Sequence, residues 1–236
     1  MGLETHAKSY ALIWSMSGRL ILVWAQAREP WPDGCMVAAL NQLPPWMGRE
    51  MARWRNPMDR QTRVLGRLLV RLALETLGVA NGDLAGWRLD QFGRPYLSGC
   101  AADCSVSHSG GLVAAAVSLP GRVGVDVEVL APLPIEALDA AFCPEEMSDI
   151  RSAENQSRRA LELWTGKEAT LKADGRGMSL DPSLIDARGE SIRLGEEVWR
   201  IFHPELTPGW LCALVTNQLT PVVNIISTDL AVLLGG

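Results

Sequence analysis

The chain has 236 residues, 47% of them hydrophobic and 21% charged, and a formal net charge of −5. This is ordinary soluble globular composition, with enough length for a substantial core in one domain or two small ones. The acidic balance argues against a general nucleic-acid binder, which would be basic overall.

The first hydrophobic segments, residues 10 to 25, read as a hairpin or two short strands broken at Ser17-Gly18. Leu20 to Ala25 is too short to span a membrane and follows Arg19, and acidic Glu4 speaks against a signal peptide. Glu29 to Pro45, rich in Pro, Gly and Trp, reads as a loop. A helix is predicted from about Asp59, as N-cap, to Leu77, with Gly78 as its stop and Leu65, Leu68, Leu69 and Leu72 as its apolar face. Strands are predicted near Trp87–Leu89, Ser105–His108, Leu112–Ser118 and Val123–Val129, the last three separated by Gly110-Gly111 and Pro120-Gly121. After a connector marked by Pro132 and Pro134, helices are predicted near Ile135–Phe142, Glu145–Ile150 and Ser157–Ala173. Strands near Ser191–Leu194, Val198–Phe202, Leu211–Thr216 and Val222–Ile226 complete the chain. Each half thus has one long helix followed by several strands. This order favours an α+β fold with antiparallel sheets. The five cysteines (Cys35, Cys100, Cys104, Cys143 and Cys212) fit reduced thiols in a cytoplasmic protein, because Cys100 and Cys104 lack the second pair a zinc pattern needs.

Four clusters carry chemistry. In Val123–Val129 every odd position is valine, so Asp126 and Glu128 point together to the opposite face of the strand. Their Cα atoms are roughly 6–7 Å apart by strand rise. Two charges at that separation repel by about 2–3 kcal/mol at an effective dielectric of 20. A hard divalent cation such as magnesium would relieve the repulsion; a solvated edge-strand face accounts for the same pattern. Glu168 and Lys172, four residues apart, share a helix face, which by itself is also the pattern of a surface ion pair. Ser107-His108-Ser109-Gly110 sets a histidine among hydroxyls at a strand end, either as an anion ligand or base or as a residue satisfied by its neighbours. Arg60, Arg63, Arg67 and Arg71 recur on one side of the first long helix, preceded by Arg49, Arg53 and Arg55. Such a stripe suits a phosphate-rich ligand, an acidic partner or a solvated face.

Gly93-Arg94-Pro95, Val106 to Gly110, Gly124 to Glu128, and Trp164 to Gly177 with its Trp-x-x-Lys-Glu-Ala-x-x-Lys-x-x-Gly-x-Gly spacing stand in an order that resembles the 4′-phosphopantetheinyl transferases, particularly the larger surfactin-synthetase-activating type. The resemblance covers about Pro45 to Leu180 and continues more weakly in the tail. It implies a pseudo-dimer of two similar α/β halves, residues 1–121 and 122–236, each with a long helix on a mainly antiparallel sheet and coenzyme A in the cleft between them. It implies transfer of phosphopantetheine from coenzyme A to a serine of an apo carrier protein by a monomer. It further implies that Asp126, Glu128 and Glu168 hold magnesium and that Lys172 neutralises pyrophosphate charge. Arg94, Ser107 and His108 would hold the adenosine 3′-phosphate, and Arg49, Arg53 and Arg63 would also meet coenzyme A. For the base that takes the serine proton, Glu168 is the first candidate and a metal-bound water the rival. A non-catalytic coenzyme A-binding scaffold is the alternative function. Two positions depart from the pattern: Ser105 stands where many relatives have asparagine, and Arg94 where lysine is also common.

Overall fold

The structure is a computed structural model that describes residues 18–79, 84–132, 135 and 139–235. In chain order it contains β1 (Gly18–Gln26), α1 (Asp33–Asn41), α2 (Pro45–Met51), α3 (Pro57–Thr76), β2 (Trp87–Leu89), β3 (Pro95–Leu97), β4 (Asp103–Ser109), β5 (Leu112–Leu119) and β6 (Val123–Val129). There follow α4 (Pro144–Ser152), α5 (Gln156–Asp174), β7 (Ser191–Leu194), β8 (Glu197–Phe202), β9 (Trp210–Thr216), β10 (Pro221–Ser227) and α6 (Leu230–Leu233). One sheet has the order β10-β1-β5-β4, another β6-β9-β8-β7, and β2 and β3 form a separate hairpin. Among the described residues, only the β1–β10 pairing is parallel. The fold is therefore α+β, with a long helix on a mainly antiparallel sheet in each half, as the sequence indicates.

Three apolar clusters define four layers. Leu65, Leu68 and Leu69 of α3 pack on Ile21, Val23, Val113 and Val117 of the first sheet. Ala169 and Ala173 of α5 pack with Ile201, Ala213 and Val215 of the second. Between the sheets, Leu20, Leu22, Ala114 and Ala116 meet Val123, Val125, Val127 and Leu214. The three β6 valines are fully buried, and burial of each contributes roughly 1.5–3 kcal/mol.

Several elements depart from expectation. Glu29 to Pro45 is not all loop: α1 lies within it and α2 begins at its end. Pro44 and Pro45 are compatible with that start, because the first turn of a helix needs no N–H from proline. The first long helix begins three residues early, with Asn56 rather than Asp59 as its cap; the Asn56 side chain accepts from the amides of Met58 and Asp59. Of the helix expected at Ile135–Phe142, residues 136–138 lie outside the described residues, and only a 3₁₀ turn, Asp139–Ala141, is described. The hairpin expected at 10–25 lies largely outside the described residues, apart from β1. The last strand, β10, joins the first-half sheet beside β1 rather than staying with residues 122–216.

The face of β6 opposite the valines is not solvated: α5 covers it. Gly124 makes the close approach possible, since a Cβ there would lie 1.9 Å from the Ala169 carbonyl oxygen and 2.6 Å from the Ala173 amide nitrogen. Both obstacles are helix backbone, which cannot rotate aside. Gly124→Ala is expected to destabilise the fold by at least about 2 kcal/mol, the range for overpacking a tight core. A urea unfolding midpoint equal to wild type would show that α5 can lift away without cost.

Candidate functional site

The two halves are stitched together along β4 and β6 by side chains. Asp103, Ser105, Ser107 and Ser109 alternate on one face of β4. Their oxygens accept from the amides of Val123 (2.8 Å), Val125 (3.1 Å), Val127 (3.3 Å) and Val129 (3.2 Å). β6 is an edge strand, and an edge strand carries a row of unpaired amides. The serine ladder satisfies them and fixes the register of β6 against β4. Ser105, at the position where many relatives have asparagine, is one of its rungs.

This register builds the site. Ser107 Oγ donates to Asp126 Oδ1 at 2.7 Å, and the Lys172 ammonium contacts both Asp126 Oδ1 (2.6 Å) and Ser107 Oγ (2.9 Å). Ser109 Oγ lies 2.8 Å from Glu128 Oε2. Asp126 is buried, and its Oδ2 has no hydrogen-bond partner. A buried acceptor left unpaired costs about 1–3 kcal/mol, and more if charged. Lys172 is 30% exposed, so its third N–H donor can still reach a ligand.

The carboxylates of Glu168 and Glu128 share this environment. Burial, then repulsion from Asp126, raises the Glu168 carboxyl above the usual range, opposed by Lys172. Glu128 is raised chiefly by burial, against its bond to Ser109. His108 is lowered by burial first, then by the positive charges of Lys172 and Arg63. The acids do not close into a tight cage: among the described residues, only Cys143, Glu146 and Asp186 bring three potential ligand atoms within 4.8 Å of one another. Asp126 and Glu128 are instead tethered to Lys172 and to the serines. The Cys143 group is not a better metal centre, because Glu146 is already fully engaged. Its Oε2 pairs with Lys167 at 2.6 Å and accepts from the Cys143 amide, and its Oε1 accepts from the Ala187 amide.

The other predicted residues fall into three groups. His108 lies on the opposite face of β4 from Ser107 and is exposed, so these neighbours do not form one pocket wall. Arg63 stacks on Trp54 at 3.5 Å, and the next stripe residue, Arg67, lies over Trp87 at 4.1 Å. Arg71 bonds the Gln42 carbonyl, so this stripe is half packed against aromatics and loops rather than simply solvated. Arg49 and Arg53 are exposed and have no side-chain partner among the described residues. Arg94 is turned inward, 9% exposed and paired with Asp103. Four of its five N–H donors already go to protein acceptors.

Lys167, one position before Glu168, was missed as a functional residue by sequence reasoning. Its side chain is fully buried, pairs with Glu146, and donates to the carbonyls of Pro182 (2.9 Å) and Ile185. It ties α4 and the 182–185 turn to α5, and so fixes the helical turn that carries Glu168. In the sequence it stands out as the lysine of the Trp-x-x-Lys-Glu-Ala run, on a helix face otherwise made of Ala160, Leu163 and Thr170.

A cavity of about 260 Å³ adjoins the cluster, lined by Phe92, Arg94, Ser105, Glu168, Lys172 and Met178 among others. A larger one, about 610 Å³, lies toward the other end of α5, beside Arg158, Glu162, His203 and Trp210. It contains none of the clustered acids. The smaller cavity is the better candidate because it borders the carboxylates and the amine.

Fold and site together describe a two-half α+β protein with a buried carboxylate, a lysine and two further acids at the seam, an arrangement suited to a polyanionic ligand. Residues 122–206 match the family model of the 4′-phosphopantetheinyl transferase superfamily. The protein slr0495 of Synechocystis, which carries that family name, is 31% identical over 140 residues, 55% of this chain and 57% of its own length. The 4′-phosphopantetheinyl transferase gsp of Aneurinibacillus migulanus is 29% identical over 76% of this chain and 78% of its own. The Sfp transferase of Bacillus subtilis is 27% identical over 63% and 67%. Over these spans the chain is similar to 4′-phosphopantetheinyl transferases, Sfp-like members among them.

Proposed function

We propose that the protein transfers the 4′-phosphopantetheine group of coenzyme A to a serine hydroxyl of an apo carrier protein. The serine oxygen bonds to the phosphorus that bears the pantetheine arm. The bond from that phosphorus to the bridging pyrophosphate oxygen breaks, adenosine 3′,5′-bisphosphate leaves, and the serine proton passes to a base. The observation that carries this reading is the Ser107–Asp126–Lys172 cluster at the seam, with one Asp126 oxygen buried and unpartnered.

That orphaned oxygen, with Glu128 and Glu168 nearby in charge and burial, is a hard-oxygen donor set that fits magnesium. When bound, magnesium would neutralise pyrophosphate charge. Lys172 has one donor to spare for a phosphate oxygen and stabilises charge as the leaving oxygen departs. The raised pKa of Glu168 suits it as the base, since a carboxylate shifted toward neutrality accepts a proton more readily. His108 and Arg63, which feel one another's charge, suit the adenosine 3′-phosphate, and the exposed Arg49 and Arg53 are further candidates to meet coenzyme A. Ser107 belongs with the carboxylate cluster rather than with this phosphate end. Both halves of the cleft come from one chain, which favours a monomer, and reduced cysteines favour the cytoplasm. No helix among the described residues is long and apolar enough to cross a membrane. Carriers of fatty-acid, polyketide or peptide synthesis all fit the reaction.

Release of adenosine 3′,5′-bisphosphate from coenzyme A tests the proposal. Release that needs both an apo carrier and magnesium, and stops with EDTA, is expected. Release without any carrier would indicate a hydrolase. Coenzyme A binding with no release across a panel of carriers would indicate a scaffold.

A further inference from the structure

We propose that Arg94 is a positioning residue: it clamps the last turn of α5 to the first half and thereby sets Lys172 over Ser107 and Asp126. The inference rests on the transferase reading for its kinetic consequence and on geometry alone for the clamp.

Every nitrogen of the Arg94 guanidinium is directed at protein. Nε donates to the Lys172 carbonyl at 2.8 Å, Nη1 to the Pro95 carbonyl at 3.3 Å, and Nη2 to both Asp103 Oδ2 and the Val123 carbonyl. The same Asp103 oxygen accepts from the Val123 amide. One side chain therefore joins the β2–β3 hairpin, β4, β6 and α5. The Lys172 carbonyl is among the last four of its helix, which have no intrahelical donor, and Arg94 supplies one. Gly175 then ends α5 at φ +93°, where a Cβ would lie 2.8 Å from Arg94 Cδ, so the helix end is pressed against the clamp. The backbone of the residue whose amine grips Asp126 is thus held by Arg94. Four of its five N–H donors are engaged in this way, and a phosphate that took those four would have to displace a carboxylate and three carbonyls. Lysine cannot replace the clamp, since an ammonium is a point donor and cannot reproduce the planar fork.

The chain offers a clean readout, because its only lysines are Lys8, Lys167 and Lys172. Arg94→Lys and Asp103→Asn would be compared with wild type in two measurements. In the first, amine labelling followed by peptide mass spectrometry is expected to show faster modification of Lys172 in both variants with Lys167 still protected. Unchanged Lys172 labelling, or equal exposure of Lys167, would overturn the clamp in favour of no role or of general destabilisation. In the second, steady-state transfer is measured with coenzyme A and with 3′-dephospho-coenzyme A. For Arg94→Lys, kcat is expected to fall about tenfold to a hundredfold with both substrates, the scale of a small misplacement of a catalytic group, while the ratio of their KM values stays as in wild type. Full activity in Arg94→Lys, or loss confined to the 3′-phosphorylated substrate, would make Arg94 a phosphate ligand instead. If wild type transfers nothing, the transferase reading fails, and the labelling result decides the clamp independently.

Discussion

Lys167→Met is expected to cost about 3–5 kcal/mol of folding stability, the penalty for removing one partner of a buried ion pair. Both side chains of the Lys167–Glu146 pair are fully buried, 2.6 Å apart. A methionine of similar length fills the volume but leaves the Glu146 carboxylate without its countercharge and the carbonyls of Pro182 and Ile185 without a donor. Adding Glu146→Leu should restore only part of the loss. It removes the stranded charge, but it also leaves the amides of Cys143 and Ala187 without acceptors. Urea unfolding of the two variants measures both effects as midpoint shifts. A single variant as stable as wild type would mean that the 182–185 turn is not held by this network.

Glu168→Gln carries the largest expected effect on activity. Removing a positioned base costs about 10²–10⁴-fold in rate, and here the same side chain is also a proposed magnesium ligand. The fold should not suffer. Burial raises the folded-state pKa of Glu168 above its unfolded value, so its contribution to stability is fully present below the unfolded pKa and is lost as pH rises through the folded one. Above the folded pKa the charged carboxylate is therefore a liability, and neutral glutamine is expected to unfold there at the same urea concentration as wild type or higher. Near-normal turnover in Glu168→Gln would remove this residue from both roles, while a large loss of stability would make it a structural group.

β6 was legible to the residue, Val123–Val129, because period-two valines have only one way to be buried. The helix carrying Glu168 and Lys172 was equally plain from its apolar spacing and its Gly175 stop. The covering of the acidic face was not legible, since it depends on how closely α5 approaches β6 over Gly124. The serine ladder was hidden for a related reason. The alternation of Asp103, Ser105, Ser107 and Ser109 is visible, but its partner strand is known only once two non-adjacent strands are placed together. Arg94 shows what motif reading leaves out: its charge and position suggest a phosphate ligand, and its hydrogen bonds also tie it to Lys172, Pro95, Asp103 and Val123. Residues 33–41 and 45–51 formed helices despite their prolines because those prolines precede or begin each helix. The return of β10 to β1 is a long-range pairing with no local signature.

The central claim is that this seam of carboxylates, serine and lysine moves a phosphopantetheine arm onto a carrier serine. The most direct measurement is the intact mass of apo carrier proteins after incubation with the protein, coenzyme A and magnesium, beside carriers whose acceptor serine is replaced by alanine. A gain of one phosphopantetheine mass on at least one serine carrier, and none on its alanine counterpart, is the predicted result. Unchanged mass on every carrier, with coenzyme A bound and the protein folded, would contradict it.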